Sequence, residues 1–200
     1  MEEWWSYGLS DLLLFSPRTY YRLLQRHNEA VWPAQILTLG LGIGLLALLR
    51  RPRERHGRII AAVLALLWAW VAVTFLWGRY ATINWAAAYF AWLFGIEVLL
   101  LVWFGVVRAE LQFRRRSGPG SIVGLGLFFV ALAYPLLAPL LGRPWQQGEI
   151  FGIFPDPTVL GTTGLLFLAQ GRSRWALLVL PLVLCAVSGA TLWALGPNAQ

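Results

Sequence analysis

Lysine is missing from all 200 positions. Without that amine no side-chain Schiff base can form, which excludes retinal-type pigments and pyridoxal enzymes. Cysteine occurs once, at Cys185, inside an apolar run, so it forms no internal disulfide and reads as a small buried apolar residue. Histidine occurs twice, and His27, His56 and Cys185 fall on three different segments. Neither a metal set nor a haem held by two histidines is expected, and no cofactor is expected. Charge is scarce too, at 12% of residues against 58% hydrophobic, with a mean hydropathy of +0.64. That balance excludes an ordinary soluble domain and implies a polytopic membrane protein. The net charge of +7 comes from arginine alone, and the arginines bracket apolar runs, as membrane insertion requires and nucleic-acid binding does not. The expected partners are therefore the lipid bilayer and a small molecule or ion, with no nucleic acid.

What is present divides into an arm, residues 1–30, and a transmembrane helical bundle, residues 31–200. No basic region opens the chain, so no cleavable signal peptide is expected. Ser16 and Pro17 followed by RTYYRLLQRHNEA read as a capped amphipathic helix, and Leu12 to Phe15 is too short to span. The arm is expected flat on the membrane interface, with Trp4, Trp5, Tyr20 and Tyr21 at headgroup depth, or packed on the protein's own outer face. The spans are expected at about 32–49, 59–77, 85–107, 122–141, 150–170 and 175–195, an all-α bundle of six helices. Gly40, Gly42 and Gly44 in the first lack the strand and acidic residue of a nucleotide fold and suit close helix approach. Pro135 and Pro139 should kink the outer half of the fourth.

The stretch from Gly142 to Thr163, GRPWQQGEIFGIFPDPTVLGTT, is the anomaly, with two acids, an arginine and three prolines among apolar residues. Pro157 to Gln170 gives a helix of about 14 residues, roughly 21 Å against a hydrocarbon thickness of ~30 Å. The fifth span is therefore expected to be broken at Pro155 to Pro157, with Asp156 as the N-cap of a half-helix. Arginines orient the bundle, with eleven in the loops at 50–58, 108–116 and 172–174 and five elsewhere. The positive-inside rule then puts both termini outside the cytoplasm. On that topology Trp77, Arg79, Tyr80, Asn84 and Trp85 share the outer side with Arg143, Trp145, Gln146, Gln147, Glu149 and Asp156. An echo between the pair at 33–78 and the pair at 157–193, each a proline, a glycine-containing helix, an arginine loop and a closing TLW-like end, suggests a parallel repeat.

The segments LSDLLLFSPRTYYRL, VWPAQ, RYATINWAA, LLGRPW, PDPT and SGATLW resemble a family of small bacterial multi-pass membrane proteins known only as a domain of unknown function. The resemblance covers nearly the whole chain. It implies an integral membrane protein of several helices, with a further apolar segment after SGATLWALG in other members, and it carries no activity, cofactor or catalytic residue.

Among the residues themselves, Glu97 is the candidate polar station in the membrane, because an acid at mid-bilayer costs about 3 kcal/mol on insertion scales. A hydroxyl such as Thr38, or water, would be its partner. Arg79, Asn84, Arg143, Trp145, Glu149 and Asp156 are the candidate residues of an outer vestibule, and no residue is expected to be catalytic. Passage of a small solute or ion, or ligand binding in an outward-facing pocket, fits these features. A membrane enzyme of the outer leaflet using Glu149 and Asp156, or a non-catalytic accessory subunit, are the alternatives.

Overall fold

A chain this apolar satisfies its backbone internally, and it does so with helices. The computed structural model describes residues 17–50, 53–113 and 118–195. The expectations for Trp4, Trp5, Leu12 to Phe15, Ser16, Arg51 and Arg114 to Arg116 lie outside the described residues, as does the side chain of Trp193. Eight α-helices follow in order: α1 (Pro17–Ala30), α2 (Ala34–Arg50), α3 (Glu54–Trp70), α4 (Ala86–Leu100), α5 (Pro119–Ala133), α6 (Leu137–Leu140), α7 (Pro155–Leu168) and α8 (Ser173–Leu195). Helices α3 and α4 continue as wider π-type turns, Val71–Trp77 and Leu101–Val107. The fold is all-α apart from one antiparallel pair of two-residue strands, β1 (Gln112–Phe113) and β2 (Ala169–Gln170).

Three helical stretches, Arg55–Thr82, Ala86–Val107 and Pro119–Leu140, are long and apolar enough to cross a membrane. A fourth is reached if α1 and α2, bent by 86° at Val31 to Pro33, count as one broken span. Their outer faces need an apolar solvent: Ile122 is 74% exposed, Trp92 and Leu99 69%. Helices α2 and α7 are shorter, at 17 and 14 residues, and the apolar stretch of α8 whose side chains are described, Ser173–Gly189, is shorter too, so length and apolarity establish three or four crossings.

The fourth expected span is interrupted where its prolines fall. Helix α5 ends at Ala133, and a 3-10 turn at Tyr134–Leu136 leads into the short α6. Of the three spaced glycines of α2, only Gly42 meets a neighbour closely, where a Cβ would strike Leu132 and Phe151; Gly40 and Gly44 face open space.

The core lies where α3, α4, α5 and α7 meet, around Trp68, Phe75, Phe94, Phe128, Phe151 and Phe154. Trp68 lies over Phe94 at 4.1 Å, and its Nε1 donates to Thr162 Oγ1 at 2.8 Å. Helices α5 and α7 approach most closely, because glycines face each other across the crossing: a Cβ on Gly164 would come within 2.6 Å of the Gly124 carbonyl oxygen. The two strands tie the end of α4 to the end of α7, and Leu111 packs its carbonyl against Gly57. The loops carrying Arg53, Arg55, Arg108, Arg172 and Arg174 thus gather at one end of the bundle. The charge pattern read from the sequence is a spatial grouping.

Candidate functional site

At the opposite end, local sequence places each side chain. Helix α6 closes with Gly142 in the left-handed region (φ 72°), its N–H donating to Pro139 O while Arg143 N–H donates to Ala138 O at 2.8 Å. This six-to-one, five-to-two pattern is a Schellman C-cap, and the Pro144 that follows prevents the helix from resuming. The segment LLGRP therefore projects Arg143 at a fixed point. Its guanidinium lies 4.4 Å from the ring centre of Tyr21 on α1, a cation–π contact.

Glu149 is held from the other direction. Gln35 on α2 donates to Asn28 O at 2.7 Å, and Asn28 Nδ2 donates to Gln146 O at 2.8 Å and Gly148 O at 2.9 Å. Those bonds clamp the turn at Trp145–Gln147 under α1 and fix the residue before Glu149. Helix α1 thus packs on the bundle, burying Leu24, His27 and Asn28. The rings of Tyr20 and Tyr80 lie 5.6 Å apart, and the His27 ring lies 5.2 Å from Phe75 and 5.4 Å from Phe154.

Asp156 follows from the start of α7, one step away from the sequence reading. The N-cap of α7 is Phe154, extended at φ −119° and ψ 154°, with Pro155 at the first helical position, so Asp156 is inside the first turn and not the cap. The reason is steric: Pro155 already supplies the fixed φ that starts a helix, and Phe154 before it is driven to extended backbone. Residues Ile150 to Phe154 form a buried turn closed by Ile153 N–H and Phe154 N–H on Ile150 O, and Gly152 N–H donates to Thr158 Oγ1 at 2.8 Å. Asp156 Oδ1 accepts from Ser188 Oγ of α8 at 2.8 Å.

These pieces converge. Glu149 keeps some surface, but its Oε2 is enclosed and without a hydrogen-bond partner among the described residues. Burial first, and then the adjacent Asp156 carboxyl, push its pKa up to about 8, against the pull of Arg143 in the other direction. Nε and Nη1 of Arg143 are likewise enclosed and unpartnered, and Arg143 and Glu149 form no ion pair. The Tyr20 phenol is raised well above its ordinary range by burial and then by Glu149 and Asp156, so it faces the same acids. Arg79 acts elsewhere: burial and then the Arg79 charge hold His27 down to about 4. Asn84 serves its own turn, accepting from Ala86 N–H at 3.0 Å and donating to Tyr80 OH at 3.4 Å, and Trp145 is 62% exposed. Of the six vestibule candidates, Arg143, Glu149 and Asp156 are thus brought together, while Arg79 and Asn84 serve other neighbours and Trp145 is exposed.

Tyr20, Tyr21 and Ser188 join the site without having been singled out for it. The signal for Tyr20 was the stripe Tyr20, Leu24, His27 and Val31, spaced as one buried helix face; Ser188 had none, because only the packing of α8 on α7 brings it to Asp156.

Glu97 lies apart. It is 0% exposed, and neither carboxylate oxygen has a hydrogen-bond partner among the described residues. Thr38, expected as a partner, spends its hydroxyl on Gln35 O at 3.2 Å. Among the described residues no group of three or more metal-ligating side chains comes together.

The family model described as "Family of unknown function (DUF6064)" matches residues 18–196. The chain belongs to this family. No curated protein and no solved structure matches it. The family model spans α1 through α8, so the site built by α1, the α6–α7 connection and α8 lies wholly inside the shared region.

Proposed function

We propose that this is an integral protein of a bacterial inner membrane whose α1-capped end binds a small polar molecule between Arg143 and the Glu149–Asp156 pair. The observation that carries the reading is an enclosed guanidinium and an enclosed carboxyl that do not touch. Arg143 Nε and Nη1 and Glu149 Oε2 each lack a hydrogen-bond partner among the described residues, although the two side chains lie close enough for the Arg143 charge to act on Glu149. Burying such groups unpaired costs about 1–3 kcal/mol each or more for a charge, and a molecule with matching groups would recover it. The arginine count puts this end outside the cytoplasm, and hydropathy favours six crossings with α2, α7 and α8 as spans.

The test is native mass spectrometry and thermal unfolding of the protein in lipid nanodiscs. A small bound mass is expected on the wild type, and both Arg143→Gln and Glu149→Gln should lower its occupancy at least tenfold while remaining folded. Equal occupancy in all three would remove the site from the function.

Passage through the membrane is a second reading, favoured by the isolation of Glu97. It lies about 12 residues below Trp85, roughly 18 Å along α4 and near mid-bilayer, enclosed and without a partner among the described residues. An acid in that position is what a crossing cation or proton would meet. In this reading Glu97→Gln abolishes flux in reconstituted vesicles and leaves the fold intact; unchanged flux takes Glu97 out of the mechanism.

A further inference from the structure

The site at the α1-capped end has an open guanidinium and an open carboxyl, and their chemistry limits what can fill it. Arg143 offers two enclosed N–H donors, the natural partners of a carboxylate or phosphate oxygen. The Tyr21 ring against its guanidinium at 4.4 Å holds the plane in which those donors point. Glu149 Oε2 is the open acceptor, and beside it Asp156 already has Ser188 as a donor. An anion alone would satisfy Arg143 and face two carboxyl groups. A cation alone would satisfy Glu149 and leave the guanidinium donors buried and open beside a like charge.

We infer that the ligand is a small zwitterion, with a primary ammonium seated on Glu149 and an oxyanion seated on Arg143, a few bonds apart. This rests on the binding reading above and narrows its ligand class. The short spacing follows from the path of the chain: Arg143 and Glu149 stand six residues apart on one connection, which the Gly142 cap and the Asn28 clamp fold back under α1, and they make no ion pair, so a small group suffices to bridge them. A primary ammonium is specified because an enclosed carboxylate oxygen needs an N–H donor, which a quaternary ammonium lacks. The neighbouring rings of Tyr20 and Tyr80 would line the cationic side. The same ammonium–oxyanion chemistry occurs in the headgroup of phosphatidylethanolamine and in free phosphoethanolamine, and the site could draw on either source.

The experiment uses the full chain in nanodiscs of phosphatidylglycerol, titrated with phosphoethanolamine, ethanolamine, inorganic phosphate and phosphocholine by calorimetry. A parallel sample in mixed phosphatidylethanolamine and phosphatidylglycerol is examined by native mass spectrometry. Phosphoethanolamine is expected to bind at least tenfold more tightly than any of the other three, or phosphatidylethanolamine to be retained selectively; the first result assigns a free solute and the second a lipid. Glu149→Gln and Arg143→Gln should each weaken the preferred ligand at least tenfold, with Arg172→Gln at the far end without effect. Should either variant fail to fold, Arg143→Lys keeps the charge, loses the planar donor set and is expected to weaken binding severalfold. Equal binding of ethanolamine or phosphate alone overturns the zwitterion and leaves a binding site. Tighter phosphocholine overturns the primary ammonium. Ligands that bind without sensitivity to Arg143 or Glu149, or no binding of either source, overturn this inference and the binding reading together.

Discussion

Burial and the neighbouring Asp156 raise the Glu149 carboxyl from its ordinary value of 4.5 to about 8, and the direction of that shift fixes a pH dependence. Between those values the folded chain holds a proton that the unfolded chain releases. The contribution of this group to stability is complete below pH 4.5 and is lost as pH rises through 8. The melting temperature in nanodiscs is therefore expected to be lower at pH 9 than at pH 6, and Glu149→Gln should flatten that difference. His27 runs the other way. Held at about 4 from an ordinary 6.5 by burial and Arg79, it contributes fully above pH 6.5 and loses its contribution as pH falls through 4. Glu149 and Asp156 were visible in the sequence as acids in an apolar setting. Their pairing with Arg143 was not, because seven residues separate the acids across a buried turn whose path is set by Gly152 and Thr158. The same limit holds for Thr38 and Glu97: the sequence offered a hydroxyl such as Thr38 as a partner, and in the fold Thr38 bonds Gln35 O while Glu97 has no hydrogen-bond partner among the described residues.

At the level of elements, α5 and α7 are joined through glycine, and this makes a sharp prediction. Gly164→Ala puts a methyl 2.6 Å from the Gly124 carbonyl oxygen and 2.8 Å from Phe128 N, both backbone atoms that cannot swing aside. The expected loss is about 1–3 kcal/mol or more, read as a fall in melting temperature. Gly126→Ala, two residues along α5 with nothing within 4 Å, should be neutral or gain up to about 1 kcal/mol from helix propensity. Equal effects from the two would mean that α5 and α7 do not cross here. Proline punctuation marked the start of α1 at Pro17; Pro119, which opens α5 within its first turn, and Gly142, which closes α6, were not read as boundaries from the sequence. The misplaced N-cap of α7 shows the limit of that reading. Two prolines flank Asp156, and the first of them begins the helix.

For the whole molecule, the grouping of arginine loops at one end and the Arg143–Glu149–Asp156 site at the other predicts sidedness. In whole cells, a thiol-reactive probe that does not cross membranes should label Trp145→Cys and leave Arg55→Cys unlabelled until the membrane is opened, both in a Cys185→Ala background. Reversed labelling would invert the orientation and place the site on the cytoplasmic side. Composition alone determined that the chain is helical and membrane-embedded, because an apolar solvent leaves no other way to satisfy the backbone over such long apolar runs. The arginine spacing determined which loops share an end, because charge is costly to carry across a bilayer. Only the tertiary structure decided that α1 packs as a cap over the bundle, that Glu97 has no hydrogen-bond partner among the described residues, and that Arg143, Glu149, Asp156 and Ser188 come together at one end. The reason is geometric. Periodicity and composition fix which face of a helix is buried, but which faces meet depends on where loops turn and how closely backbones pass, and here that was set by the Asn28 clamp, the Gly142 cap and the Gly124–Gly164 crossing.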